Sequence, residues 1–236
     1  MGWKASLIIV QHPEPAVPEE DLLRRLGFGG VTFTGDTTLD ECIHPGDKSL
    51  NIGFFNYCLV IADDHQFTEA LDLTKTPDQL VEHERILTAL YPESQILSVA
   101  CHSVVNYHLY SLVQGGQKLR YKKVVGGEPV REFGERIPEE EVVYGYSQVF
   151  DGKRLFRSTY KADDVYDMTE DQLMEAFTFG VAKRLLGVEI STGDDEELMN
   201  DTVFHKYLAA KRNAPKPPPP LPGAEKRSVW AKLFGK

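Results

Sequence analysis

The sequence predicts an α+β domain whose sheet is mixed or mainly antiparallel and whose helices flank it. Three observations carry this reading. Short β-favouring runs follow one another as pairs joined by tight-turn residues, at Asn56, Gly115-Gly116, Gly126-Gly127 and Asp151-Gly152. Helix-like segments are few and far apart. The regular strand–helix alternation of a parallel sheet is absent.

Taken in order, Trp3–Val10 reads as a buried first strand, because Leu7, Ile8, Ile9 and Val10 form a continuous apolar β-favouring run. Pro13, Pro15 and Pro18 impose an extended connection. Glu19–Leu26 is then a short amphipathic helix stopped by Gly27. Val31–Phe33, Leu50–Phe55 and Tyr57–Ala62 are strands, the last two meeting at Asn56. Thr76-Pro77-Asp78 offers a hydroxyl cap, a proline in the first turn and an acid, which predicts a helix carrying Leu80, Ile86, Leu87 and Leu90. Gln95–Cys101 is a core strand, followed by a meander turning at the two glycine pairs. A hairpin joins Tyr146–Phe150 to Lys153–Tyr160. Thr169-Glu170-Asp171-Gln172 is a capping box for a helix through Phe177 and Val181 to Leu186, ended by Gly187. Thr202–Arg212 is expected as a last helix.

Three regions follow. Residues 1–212 form an acidic globular domain. Residues 213–223 are a proline-rich linker, in which Ala214–Gly223 should be a stiff polyproline II spacer of about 30 Å. Residues 224–236 are a basic amphipathic helix. On a helical wheel Val229, Trp230, Leu233 and Phe234 span an arc of about 140°, with Ser228, Lys232 and Lys236 opposite. Lys226 falls inside the apolar arc. So short a helix is marginal alone in water and should fold on contact.

Charge is divided as sharply as composition. The chain carries a net charge of −10, yet residues 211–236 hold seven basic residues against Glu225, giving +6 and leaving −16 for residues 1–210. Such an acidic body repels phosphate backbones, which disfavours nucleic acid as its partner. No apolar run approaches the roughly 18 residues needed to span a bilayer, so the chain is not expected to be transmembrane. No signal peptide is expected, because Met1-Gly2-Trp3-Lys4 leads into a short strand-like run without a longer apolar region or a small-residue cleavage site. No disulfide framework is expected, because the three cysteines, Cys42, Cys58 and Cys101, are odd in number and form no CxxC pair. A cytoplasmic location follows, with peripheral attachment at the inner membrane face open to it.

Candidate chemistry is sparse. Asp36, Asp40 and His44, with Asp63 and His65 at a strand end, have the side chains of a divalent-metal site for hydrolysis, although their spacing matches no metal signature. Lys118, Arg120 and Lys122 alternate along one strand and would make an anion-binding stripe for a small anion or nucleotide; cross-strand pairing with Glu128, Glu132 and Glu135 competes with that reading. Cys101 and His102 are adjacent and so point to opposite faces, which rules out a dyad between them. Gly27, Gly29 and Gly30 lack phosphate-loop spacing. No cofactor is expected.

The stretch His102-Ser103-Val104-Val105, Tyr107, Gly116 and Arg120, then Phe133-Gly134-Glu135-Arg136-Ile137-Pro138, resembles uncharacterised bacterial proteins of a domain-of-unknown-function family that share an HSVV segment followed by a GExxP segment. The resemblance covers the middle third of the chain. It implies a bacterial origin and a shared fold, and no activity.

The expected function is a non-enzymatic interaction protein, an adaptor that docks through its tail on a partner protein or an anionic membrane surface. Trp230 and Phe234 would anchor the contact, with Lys226, Arg227, Lys232 and Lys236 attracting the partner and Val229 and Leu233 completing the apolar face. The alternative is a metal-dependent hydrolase using the Asp/His set.

Overall fold

A computed structural model describes residues 2–44, 47–161, 164–190 and 193–209. The predicted spacer and the amphipathic segment, with every anchor from Lys226 to Lys236, lie outside the described residues.

The body is α+β, built on a nine-stranded sheet covered on both faces. Its strands are β1 (Lys4–Gln11), β2 (Val31–Thr37), β3 (Ser49–Phe55), β4 (Cys58–Asp63), β5 (Gln95–His102), β6 (Tyr107–Gln114), β7 (Gln117–Val125), β8 (Arg131–Phe133) and β12 (Phe204–Ala209). They run in the order β2-β12-β3-β4-β1-β5-β6-β7-β8. Every neighbouring pair among the described residues is antiparallel. A smaller sheet holds β9 (Ser147–Phe150), β10 (Lys153–Lys161) and β11 (Asp164–Met168) in the order β11-β10-β9.

The hairpins form where the turn residues allow it. Asn56 and Tyr57 both adopt positive φ, as do Gly115-Gly116 and Asp151-Gly152, which is the backbone a two-residue turn needs to match strand twist. β1 lies mid-sheet between β4 and β5, so both of its faces are covered, and its unbroken apolar run follows from that.

Alternation along the strands feeds two cores. One face, bearing Ile8, Ile52, Ile61 and Ile96, packs on α1 (Glu19–Arg25), α3 (Thr68–Leu73) and α4 (Glu82–Leu90). The opposite face, bearing Leu7, Val60, Val99 and Leu112, packs on α2 (Leu39–Cys42), α5 (Pro138–Gly145), α6 (Met174–Leu186) and the small sheet. In α1 the acids Glu19, Glu20 and Asp21 open the helix and Arg24 and Arg25 close it, complementing its dipole. No helix among the described residues is long and apolar enough to cross a membrane.

Three expectations need correction. The segment expected to end in a helix, Thr202–Arg212, contributes β12 instead; it fills the slot between β2 and β3, whose backbones both pair with it. Thr76 closes an isolated turn, accepting from the Gln79 N–H at 3.0 Å, and α4 starts only at Glu82. The Glu84 carboxylate sets that start by accepting the Val81 N–H at 2.9 Å. The capping box at Thr169 forms, with Gln172 accepting the Thr169 N–H at 2.9 Å, but it opens a 3₁₀ turn (Glu170–Gln172) that precedes α6.

Candidate functional site

The cationic stripe dissolves on folding. A β-bulge at Leu119 shifts the register between Lys118 and Arg120, so these two side chains leave β7 on opposite faces. Lys118 meets α4, donating to Glu84 Oε1 and Oε2 at 2.7 and 2.6 Å and to Ser111 Oγ at 2.9 Å. Burial outweighs this carboxylate and leaves the Lys118 pKa below its ordinary value. Arg120 meets α5 and grips Glu140 with two bonds, Nε to Oε2 at 2.7 Å and Nη2 to Oε1 at 2.6 Å. Nη2 also reaches Glu132 at 2.6 Å. Burial opposes the Arg120 charge, yet the Glu140 and Glu132 bonds win and raise its pKa, while Glu140 itself is held below the usual carboxylate range.

The remaining cations of β7 are spent in the same way. Lys122 pairs with Glu170, donates to the Tyr144 hydroxyl at 2.7 Å and sits 4.6 Å from the ring centres of Tyr144 and Phe177. Lys123 pairs with Asp72 at 2.6 Å. None of the three predicted anion-binding residues is therefore open to an incoming anion. Their acids come from α3, α4, α5 and the turn before α6, so the pairs tie both helical layers to the edge of the sheet.

One of the segments that carry the family resemblance, Phe133–Pro138, serves this same construction. Gly134 has φ +83°, and a Cβ there would lie 2.0 Å from the Leu119 carbonyl oxygen. Only glycine lets the chain pass the bulge and offer its carbonyl to Arg120 at 2.8 Å. Pro138 starts α5, whose Glu140 completes the pair. In the other segment, Ser103 opens a single 3₁₀ turn and donates its hydroxyl to the Trp3 carbonyl at 3.2 Å.

The Asp/His set does not converge. Asp36 lies on β2 and Asp63 at the end of β4, with β12 and β3 between them, about 14 Å at ordinary strand spacing. Asp40 is exposed on α2, and His44 stacks on Trp3 at 4.8 Å. Asp63 is buried; it accepts from Ser6 at 2.7 Å and from the Phe67 N–H at 3.1 Å at the start of α3. Burial nevertheless pushes its pKa up to about 6. His65 is buried too, its pKa lowered to about 3 by burial and then by Lys4 and His102. Among the described residues no three His, Cys, Asp or Glu side chains are gathered so as to hold a metal ion.

The structure does set a cysteine opposite a histidine, Cys101 on β5 against His108 on β6. Burial drives the pair away from thiolate–imidazolium chemistry. The Cys101 thiol rises to about 12 and His108 falls to about 3. Cys42 and Cys58 are buried as well, at about 12 and about 11.

The open concave feature lies at the other end of the sheet. There α1 covers only part of the face formed by β2, β12 and β3, leaving a groove of about 630 Å³ lined by Val17, Pro18, Glu19, Glu20, Asp21, Phe54, His205 and Tyr207. Phe54 is 56% exposed, and beside it Phe33, 50% exposed, meets His205 and Tyr207 edge-on at 5.7 Å. Glu19 anchors the floor, its carboxylate 2.9 Å from His205 Nδ1 and accepting the Tyr207 hydroxyl at 2.7 Å. On the rim, Glu20 is exposed, Asp21 pairs with Arg24, and Asp36 stands 4.0 Å from the far side of His205. The result is a shallow aromatic floor under an acidic rim, suited to a cation that also brings apolar surface.

Reading Thr202–Arg212 as a helix hid this groove, because His205 and Tyr207 share a face only as strand residues. The available signal was Phe33, set between Thr32 and Thr34, and Phe54, one residue from the end of its strand. Comparison of the chain with protein-family models, with curated proteins and with solved structures finds no match.

Proposed function

We propose that this protein is a non-enzymatic interaction module whose acidic body binds basic, aromatic-bearing peptide segments in the groove between α1 and the β2-β12-β3 end of the sheet. Residues 224–236 supply a second contact, tethered by the proline-rich spacer, to a partner protein. The observation that carries this reading is the groove itself. It combines exposed aromatics with acids that face solvent, whereas the cations of β7 are neutralised by acids inside the body. Buried cations paired in this way support a scaffold rather than a reaction centre. Two weak contacts joined by a stiff linker gain avidity without either being tight.

The test is calorimetric titration of full-length W230A/F234A, which leaves the groove clear of the chain's own apolar anchors, with a short synthetic peptide of lysines and tryptophans. A control peptide replaces its lysines with glutamates. Binding of the basic peptide alone, weakened by salt, is the expected result. If neither peptide binds, the reading fails. Sedimentation with vesicles asks what the tail contacts. Retention of the wild-type chain on anionic but not zwitterionic vesicles, lost in W230A/F234A, would make the second contact a peripheral membrane attachment instead of a protein.

A further inference from the structure

We infer that the groove's occupant is residues 224–236 of a second copy of this chain, a contact that rests on the proposed reading of the groove and names its ligand.

Charge is the first ground. Residues 211–236 carry +6 and the rest of the chain −16, so the segment is attracted to any copy of the body, and the groove rim concentrates acids around Glu19, Glu20 and Asp21. Asp21 is paired with Arg24 and Glu19 is engaged by His205 and Tyr207, which leaves Glu20 as the rim acid most open to an incoming cation.

Surface chemistry is the second. Val229, Trp230, Leu233 and Phe234 fall on one side of the helical wheel their spacing predicts, and Phe54 and Phe33 are exposed aromatics with nothing over them among the described residues. Aromatic anchors stacking on an aromatic floor, with Lys226 and Arg227 reaching the acids, use both features of the groove at once. The neighbouring small cavity bounded by Pro13, Leu22, Leu59 and Tyr91 shares Phe54 and Val17 with the groove, so the apolar floor continues inward from the rim.

Reach decides between the chain's own groove and another's. His205 is four residues before Ala209 on β12, about 13 Å along the strand. Six of the ten residues from Ala214 to Gly223 are proline, and such a spacer spans about 30 Å. A spacer as long and stiff as this composition predicts would overshoot a groove so near its root and carry the segment to a neighbouring body. When two copies exchange segments reciprocally, the contact closes as a two-fold dimer and each strengthens the other.

Sedimentation velocity on the full chain at low salt, across the micromolar range, provides the test. The wild-type chain is expected to self-associate, W230A/F234A to be monomeric, and E20K/F54A to associate at least about tenfold more weakly. An equimolar mixture of the two variants should regain association, because one contributes an intact groove and the other an intact segment. A monomeric wild-type chain, association that survives W230A/F234A, or a mixture that stays monomeric would each overturn the inference. W230A/F234A alters only residues beyond the described core, so its result does not depend on how well the groove variant folds. If W230A/F234A still binds the lysine–tryptophan peptide while the wild-type chain is monomeric, this inference falls and the groove reading stands. If the peptide does not bind either, both fall.

Discussion

The two ends of the large sheet use charge in opposite ways. Around β7, cations and acids are buried together and satisfied by one another; around β2, β12 and β3, acids and aromatics are left at the surface. At the first end desolvation makes every partner indispensable, because removing one leaves the other as an unpaired buried charge. At the second, water already screens the charges, so a substitution there hardly affects the fold. The contrast teaches that the residues most suggestive of chemistry in this sequence are structural, and that the available surface chemistry lies where no motif points.

The comparison breaks most readily at Glu140. Replacing it by alanine removes the buried carboxylate that Arg120 grips with two bonds, leaves only half-exposed Glu132 as its counter-charge, and is expected to cost about 3 kcal/mol, while Glu20→Ala should stay within about 0.5 kcal/mol. Urea unfolding of both variants checks the difference, and comparable losses would refute it.

Acid should expose the same asymmetry. His108 is buried, stacks on Phe177 at 5.2 Å, and has its pKa lowered to about 3, first by burial and then by Lys122. Its contribution is therefore complete above the unfolded value near 6.5 and is lost as pH falls from there toward 3, at about 1.4 kcal/mol per pH unit. By pH 5 that amounts to about 2 kcal/mol. The stability of H108Q relative to the parent should accordingly improve on acidification, followed by chemical denaturation across this range. A difference that does not change with pH would contradict the assignment.

Gly134→Ala sharpens the picture at smaller scale. The positive φ and the Leu119 carbonyl leave no room for a Cβ, so a loss of about 1–3 kcal/mol is expected in thermal unfolding. Gly145→Ala, where a Cβ meets nothing within 4 Å, serves as its control and should be close to neutral.

Much of the sheet was legible because its turns are written locally. Asn56, Gly115-Gly116 and Asp151-Gly152 fix hairpins whatever surrounds them, and the stop at Gly187 ends α6 as expected, while the capping box at Thr169 forms one 3₁₀ turn short of its start. β12 was not legible. Leu208 and Ala209, followed by Ala210, Lys211 and Arg212, favour helix, but two waiting strand edges outweigh a propensity of a few tenths of a kcal/mol per residue. The bulge at Leu119 left no mark either, because it depends on how β7 meets β6 and on Gly134 passing beneath it. One extra residue turned an apparent stripe into two opposed sets of ion pairs. The groove inherits the first difficulty, since it exists only once β12 is in place.

The central claim is that the body recognises basic aromatic segments at the groove and not at the β7 cluster. Two-dimensional amide NMR of full-length W230A/F234A, titrated with the lysine–tryptophan peptide, tests it most directly. Shifts confined to residues around Val17–Asp21, Phe54 and His205–Tyr207 are the predicted result. Shifts centred on Lys118–Lys123 and Glu132–Glu140, or none anywhere, would contradict it.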